Sequence, residues 1–186
     1  MSSDYSSQKS DDSPINNIKL KIQTEEDNQF YFAKLVSDLL TNLCEQNNKN
    51  TDSKISLLKP FVYKKIPSIS IYDYIERLLK YSKTFDKIVI LILIYLDTIS
   101  TKHNIHLNYF NIHKLILAAF IVASKFHEDD CYSISYYAKL GGISVKEAIN
   151  LEYEFMNLID FKLFISENIY DKYYNYLCSI EEDDDI

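Results

Sequence analysis

The sequence predicts an all-α fold: five helices joined by short connections, with one further helix on each side. Three observations carry that prediction. The 186 residues contain only 2 Gly and 3 Pro, a poverty that long helices tolerate and a turn-rich β domain does not. Apolar residues recur at spacings of three and four along most of the chain. Residues suited to helix starts and stops fall between those periodic stretches.

Taken in order, residues 1–24 are polar and poor in large apolar groups, and they read as a disordered tail. Residues 25–47 predict a helix. Phe30, Phe32, Leu35, Val36, Leu39, Leu40 and Leu43 make one broad stripe, and Glu25, Glu26 and Asp27 favour its N-terminus. Asn47 to Ser53 reads as a polar linker. Pro60 and Pro67 then mark an irregular, packed approach. Ser70 with Asp73 suits the start of the next helix, whose inward face is Ile71, Tyr74, Ile75, Leu78 and Leu79. A second helix runs from about Phe85 to His103. Its apolar core Ile88–Leu96 would suit a buried strand by β-branching alone, but its length with the flanks favours a helix.

The third of the five helices, residues 112–127, reads IHKLILAAFIVASKFH. Ile112, Leu115, Ile116, Ala119, Val122, Ala123 and Phe126 keep the helical period, and Leu117, Phe120 and Ile121 make the opposite face apolar too. A helix apolar all round and too short for a bilayer is expected at the centre of a domain. Asn108 or Asn111 is its expected cap. Lys125 ends the apolar run. An ammonium there must reach water or meet an acid, so it is expected at the rim of a working surface.

Ser133 to Leu140 predicts a short fourth helix, stopped by Gly141-Gly142 in a turn expected to need positive φ. Ser144-Val-Lys-Glu147 is a capping box opening the fifth helix. That helix carries Ala148, Ile149, Leu151, Phe155, Met156, Leu158 and Ile159, apolar on more than one side, and ends near Asp160-Phe161. Residues 166–178 predict a last amphipathic helix with Ile169, Tyr173, Tyr176 and Leu177 inward. Residues 179–186 form an acidic tail expected to be solvated.

Composition narrows the function. A net charge of -7 argues against a nucleic-acid partner. The N-terminus lacks an apolar signal region and no apolar run is long enough for a membrane span. Cys44, Cys131 and Cys178 are few, odd in number and far apart. They predict reduced thiols in a cytoplasmic or nuclear protein rather than a disulfide or metal framework. His103, His106, His113 and His127 include no pair at i, i+4 and no companion cysteine cluster. Two glycines spent in one turn leave none for a phosphate loop. No catalytic residue, metal or cofactor is expected.

Two charges interrupt apolar faces: Lys125 on the third helix and Glu152 on the fifth. If those helices are neighbours, each charge supplies what the other lacks. Spacing alone leaves both a simple suture and a recognition surface open.

Four segments decide between them. ASKFHEDD (Ala123–Asp130), YYAKLGGIS (Tyr136–Ser144), LEYEFMNLIDFKL (Leu151–Leu163) and PSISIYDYIERLLKY (Pro67–Tyr81) together resemble the cyclin box, over residues 55–165. The subgroup they resemble most is the P-type, phosphate-signalling cyclins, known in plants as P/U-type. The resemblance implies a regulatory subunit that binds and activates a cyclin-dependent kinase as a heterodimer. It also implies that Lys125 and Glu152 are the kinase-contacting pair, with Val122, Phe126, Met156 and Phe161 as the apolar floor between them. Asp129 is implied as an acid meeting activation-segment arginines, with Glu128 and Asp130 as alternatives. The Met-Arg-Ala-Ile-Leu substrate-docking motif of many cell-cycle cyclins is missing from IYDYIERLLKYS, and too few residues follow Leu163 for a second box. An adaptor of transcription machinery without a kinase is the alternative.

Overall fold

A computed structural model describes residues 14–47, 58–82 and 86–184, with side chains described for 31–47, 58–82 and 88–180. Those residues form seven α-helices and a 3-10 turn, with no strand among them. In order they are α1 (Pro14–Asn47), the 3-10 turn (Lys59–Phe61), α2 (Ile71–Ser82), α3 (Asp86–His103), α4 (Ile112–His127), α5 (Ile134–Gly141), α6 (Val145–Leu158) and α7 (Glu167–Asp184).

Helix α4 is the centre. Every residue from Ile112 to Ser124 is buried. The helix packs against α2, α3, α5, α6 and the 3-10 turn, which accounts for its lack of a polar face. Its one buried lysine, Lys114, is fully compensated. Nζ donates to Glu147 Oε1 at 2.8 Å and Pro60 O at 3.3 Å, and sits 4.4 Å from the centre of the Tyr63 ring. Helix α3 stays helical through its Ile-rich run and is buried from Ile88 to Leu96.

Helix ends follow local chemistry. Ser70 Oγ accepts from Asp73 N at 3.0 Å and donates to the Asp73 carboxylate at 2.7 Å. Ser144 Oγ accepts from Glu147 N at 3.1 Å, but the Glu147 carboxylate turns to Lys114 instead of closing the capping box. Asn111 occupies the cap position of α4 without capping it. Its side chain accepts from Asn108 N and donates to His106 O, bracing the preceding loop. The two glycines divide the labour expected of both. Gly142 is left-handed at φ +69°. Gly141 ends α5 in ordinary helical space, and a Cβ there would stand 2.2 Å from Leu117 Cδ2.

The flanks differ from the sequence reading at their outer ends. Helix α1 starts at Pro14, so residues 14–24 belong to it; residues 1–13, and 48–53 of the expected linker, lie outside the described residues. Pro14 suits a first helical position. Ile15, Ile18 and Ile22 keep the helical spacing that a polar average conceals. Helix α7 continues past Cys178 to Asp184, so most of the acidic stretch 179–186 is helical. Charge repulsion and the helix dipole disfavour that extension only weakly, by tenths of a kcal/mol for each charge. Helix α1 lies on α2 and α3, and α7 crosses α3 and touches α1. Leu177 is buried there, Tyr174 meets Phe32 with ring centres 5.2 Å apart, and Tyr173 OH donates to Asp97 Oδ2 at 2.5 Å. Burial and that carboxylate together push the Tyr173 phenol up. Cys44, Cys131 and Cys178 are free thiols. Burial, then Glu45, pushes the Cys44 thiol up to about 12, as for a packing residue rather than a nucleophile.

Candidate partner-binding surface

Helices α4 and α6 pack side by side. That puts the last turn of α4 beside the middle of α6 and brings the two anomalous charges together. Lys125 Nζ donates to both carboxylate oxygens of Glu152, at 2.6 and 2.8 Å. The side chains are 33% and 24% exposed, so the pair lies at the surface. A pair this wet contributes about 0–1 kcal/mol to folding. A suture alone is therefore a poor reason to place charges on apolar faces.

The apolar residues around the pair fall into two groups. Phe126 is 50% exposed and Phe161 62%, while Met156 is partly buried. Val122 is only 3% exposed. It underlies the patch and presents almost no surface, which corrects its expected place in the floor. Val122, Lys125 and Phe126 share one face of α4 by their spacing, so the difference lies along the axis: Val122 sits one turn further into the buried stretch Ile112–Ser124, whereas Phe126 lies at the exposed end.

Three exposed apolar residues of this region escaped the sequence reading as surface groups: Ile149, Tyr153 and Phe164, the last 78% exposed. The signal was present. Val145, Ile149, Glu152, Tyr153 and Met156 share one face of α6 by their spacing, while Ala148, Leu151, Phe155 and Leu158 make the buried face. Two apolar stripes on a helix at the molecular surface mean that one lacks an intramolecular partner.

Phe161 is held outward by an unusual helix end. Asp160 and Phe161 are both left-handed, at φ +55° and +57°. Phe161 N donates to Met156 O at 3.0 Å and Asp160 N to Asn157 O at 3.2 Å, the paired bonds of a Schellman cap without its usual glycine. Asp160 is ion-paired with Lys102 of α3. Hydrogen bonding to Lys102 is the chief cause that holds the Asp160 carboxyl below the usual carboxylate range.

Asp129 is exposed in the loop after α4. With Glu128, Asp130, Cys131, Tyr132, Tyr137, Ser82 and Ser124 it lines a cavity of about 530 Å³. Among the described residues no three His, Cys, Asp or Glu side chains are placed to hold a metal ion, and no helix is long and apolar enough to cross a membrane. The candidate site therefore has two parts: a charge pair among bare aromatics, and an acid-lined cavity beyond the C-terminus of α4.

The described residues thus form a helical module built on a buried central helix, with exposed aromatics around a surface ion pair. The family model described as Cyclin matches residues 3–163, and the chain belongs to the cyclin family. It is 39% identical to PHO85 cyclin-like protein psl1 of Schizosaccharomyces pombe, over 75% of this chain and 63% of that protein. It is 32% identical to Cyclin-U4-1 of Arabidopsis thaliana, over 82% and 79%, and 34% identical to PHO85 cyclin-7 of Saccharomyces cerevisiae, over 77% and 58%. The chain thus spans less than two thirds of the two yeast relatives. The relatives' names are those of the P/U-type cyclins, the subgroup that the four sequence segments resemble.

Proposed function

We propose that this chain binds a cyclin-dependent kinase through the α4–α6 surface and activates it as a heterodimer. One observation carries the reading: in a chain of the cyclin family, Lys125 and Glu152 pair at the surface among exposed aromatics. Two yeast relatives carry PHO85 in their names, so the cyclin-dependent kinase Pho85 is the partner to test first.

The mechanism is a shift in equilibrium. An active kinase needs the glutamate of its regulatory helix placed on its ATP-anchoring lysine. A partner with higher affinity for the inward position of that helix stabilises it by the difference in affinity. Moving a kinase from about 1:99 to 99:1 requires about 5.5 kcal/mol of such difference. A solvent-exposed ion pair supplies about 0–1 kcal/mol. Fully burying one Phe or Met side chain supplies about 1.5–3 kcal/mol. Covering Phe126, Phe161, Met156 and their neighbours thus supplies most of the energy, and Lys125 and Glu152 fix the register. Asp129 then meets cationic side chains of the kinase's activation segment. The chain contributes no catalytic residue. Its place of action is the cytoplasm or nucleus, in keeping with three free thiols.

The test is capture of recombinant Pho85 by the full chain, followed by a kinase assay. Lys125→Glu is expected to abolish capture with helicity unchanged, because two carboxylates then face the site. A folded variant that binds as tightly as the wild type refutes the surface. Affinity capture of the chain from a cell extract that recovers no kinase would instead support an adaptor.

A further inference from the structure

We propose that Lys102 and His103, at the end of α3, are positioning residues for the partner surface: they hold the helix end that presents Phe161. This rests on the partner-binding reading above, and it adds residues outside the charge pair and its floor.

The argument is an accounting of carbonyls. A helix leaves its last carbonyls without intrahelical donors, and each must be met from outside. In α6, Phe155 O accepts from Ile159 N, Met156 O from Phe161 N, and Asn157 O from Asp160 N. Leu158 O is met by side chains of α3. His103 Nε2 donates to it at 2.7 Å and Lys102 Nζ at 3.4 Å. The same Lys102 ammonium pairs with the Asp160 carboxylate. Two adjacent side chains of one helix therefore hold the last turn of another at its final carbonyl and at the first left-handed residue.

That support is needed because the turn lacks glycine. Side chains with a Cβ resist left-handed φ, and here Asp160 and an aromatic, Phe161, adopt it in succession. Strained conformations persist where their surroundings over-determine them. Packing does not do this for Phe161, which is 62% exposed. Released from its clamp, the turn would relax towards ordinary φ and move the Phe161 ring, while the buried face of α6 stayed in place.

The experiment compares Lys102→Met with wild type for binding immobilised Pho85, alone and combined with Phe161→Ala or Asp160→Gly. Met keeps most of the aliphatic stem and removes the ammonium, with both its charge and its hydrogen-bond donors. Lys102→Met is expected to weaken binding about tenfold, chiefly through faster dissociation. Added to Phe161→Ala it should cost less than twofold more, since no ring remains to be placed. Added to Asp160→Gly it should also cost less than twofold, because glycine takes the left-handed conformation unaided. A tenfold loss persisting in either background, or no loss in the single variant, overturns the proposal. In the free chain, exchange of the Phe161 amide should quicken about tenfold in Lys102→Met, with the Ala119 amide unchanged. Unchanged exchange at Phe161 overturns the clamp whether or not Pho85 binds. If the wild-type chain ignores Pho85 while Lys102→Met still quickens exchange at Phe161, the reading of function is overturned and the clamp stands.

Discussion

Lys114 and Lys125 lie on the same helix and have opposite fates. Lys114 is the buried one, held by Glu147, Pro60 and the Tyr63 ring. Removing Glu147 leaves the buried ammonium without its counter-charge, which is the costly loss; removing Lys114 leaves a carboxylate that still reaches water. Lys125 faces water at a helix end and gains little from its pair. Both lysines interrupt apolar sequence in the same way, so sequence spacing does not tell them apart. His113 is a second buried polar group of α4 beside Lys114. Its Nε2 donates to Ile69 O at 3.0 Å, its ring meets the Tyr74 ring edge-on, and its Nδ1 is buried without a partner. Burial lowers its pKa from 6.5, although the Ile69 carbonyl opposes that shift. The sign follows. Above about pH 6.5 both folded and unfolded chains carry it neutral, and its contribution to stability is complete. As pH falls below 6.5 the unfolded chain takes up the proton first. Stability then falls by at most about 1.4 kcal/mol per pH unit until the lowered folded pKa is reached. Urea titrations at pH 7.5 and 5.5 should show this loss, and His113→Gln should make it smaller. An equally steep loss in the variant would rule out His113 as a source.

At the scale of elements, the α5–α6 corner shows two reasons for glycine acting side by side. Gly142 supplies a left-handed cap whose N–H meets the last carbonyls of α5. Gly141 supplies absence: Leu117 of α4 occupies the space a methyl group would need. Gly141→Ala should therefore destabilise by about 1–3 kcal/mol through overpacking, lowering Tm by about 2–4 °C for each kcal/mol. Gly142→Ala should cost about 1 kcal/mol by conformation alone. Thermal melts separate the two. Reducing Leu117 to Ala should make Gly141→Ala less costly and leave Gly142→Ala unchanged. Helix α6 teaches the companion lesson. Its two apolar stripes were legible as spacing, but only the position of α4 shows which stripe is covered.

At the scale of the whole molecule, the proposed function predicts that binding and activation are separable, because the two parts of the candidate site lie on different elements. The α4–α6 patch offers apolar area and hence affinity, while Asp129 lies in the acid-lined cavity beyond α4. Asp129→Ala is expected to lower Pho85 activity more than Pho85 binding. Parallel pull-down and phosphorylation assays decide it, and equal losses in both would refute a separate role for that carboxylate. The seven helices, their order and most of their caps were readable from the chain, because periodicity and capping are local properties. The outer ends of α1 and α7 were not, since marginal helices are decided by what they lean on. Apolar spacing marked out a buried α4, and the charges on α4 and α6 were visible as exceptions to an apolar pattern. Tertiary structure alone decided that Lys114 meets Glu147, that Val122 is covered while Ile149, Tyr153 and Phe164 are bare, and that α3 braces the turn carrying Phe161. Those outcomes depend on which helices are neighbours and at what rotation, and a helical period specifies a face without naming what will cover it.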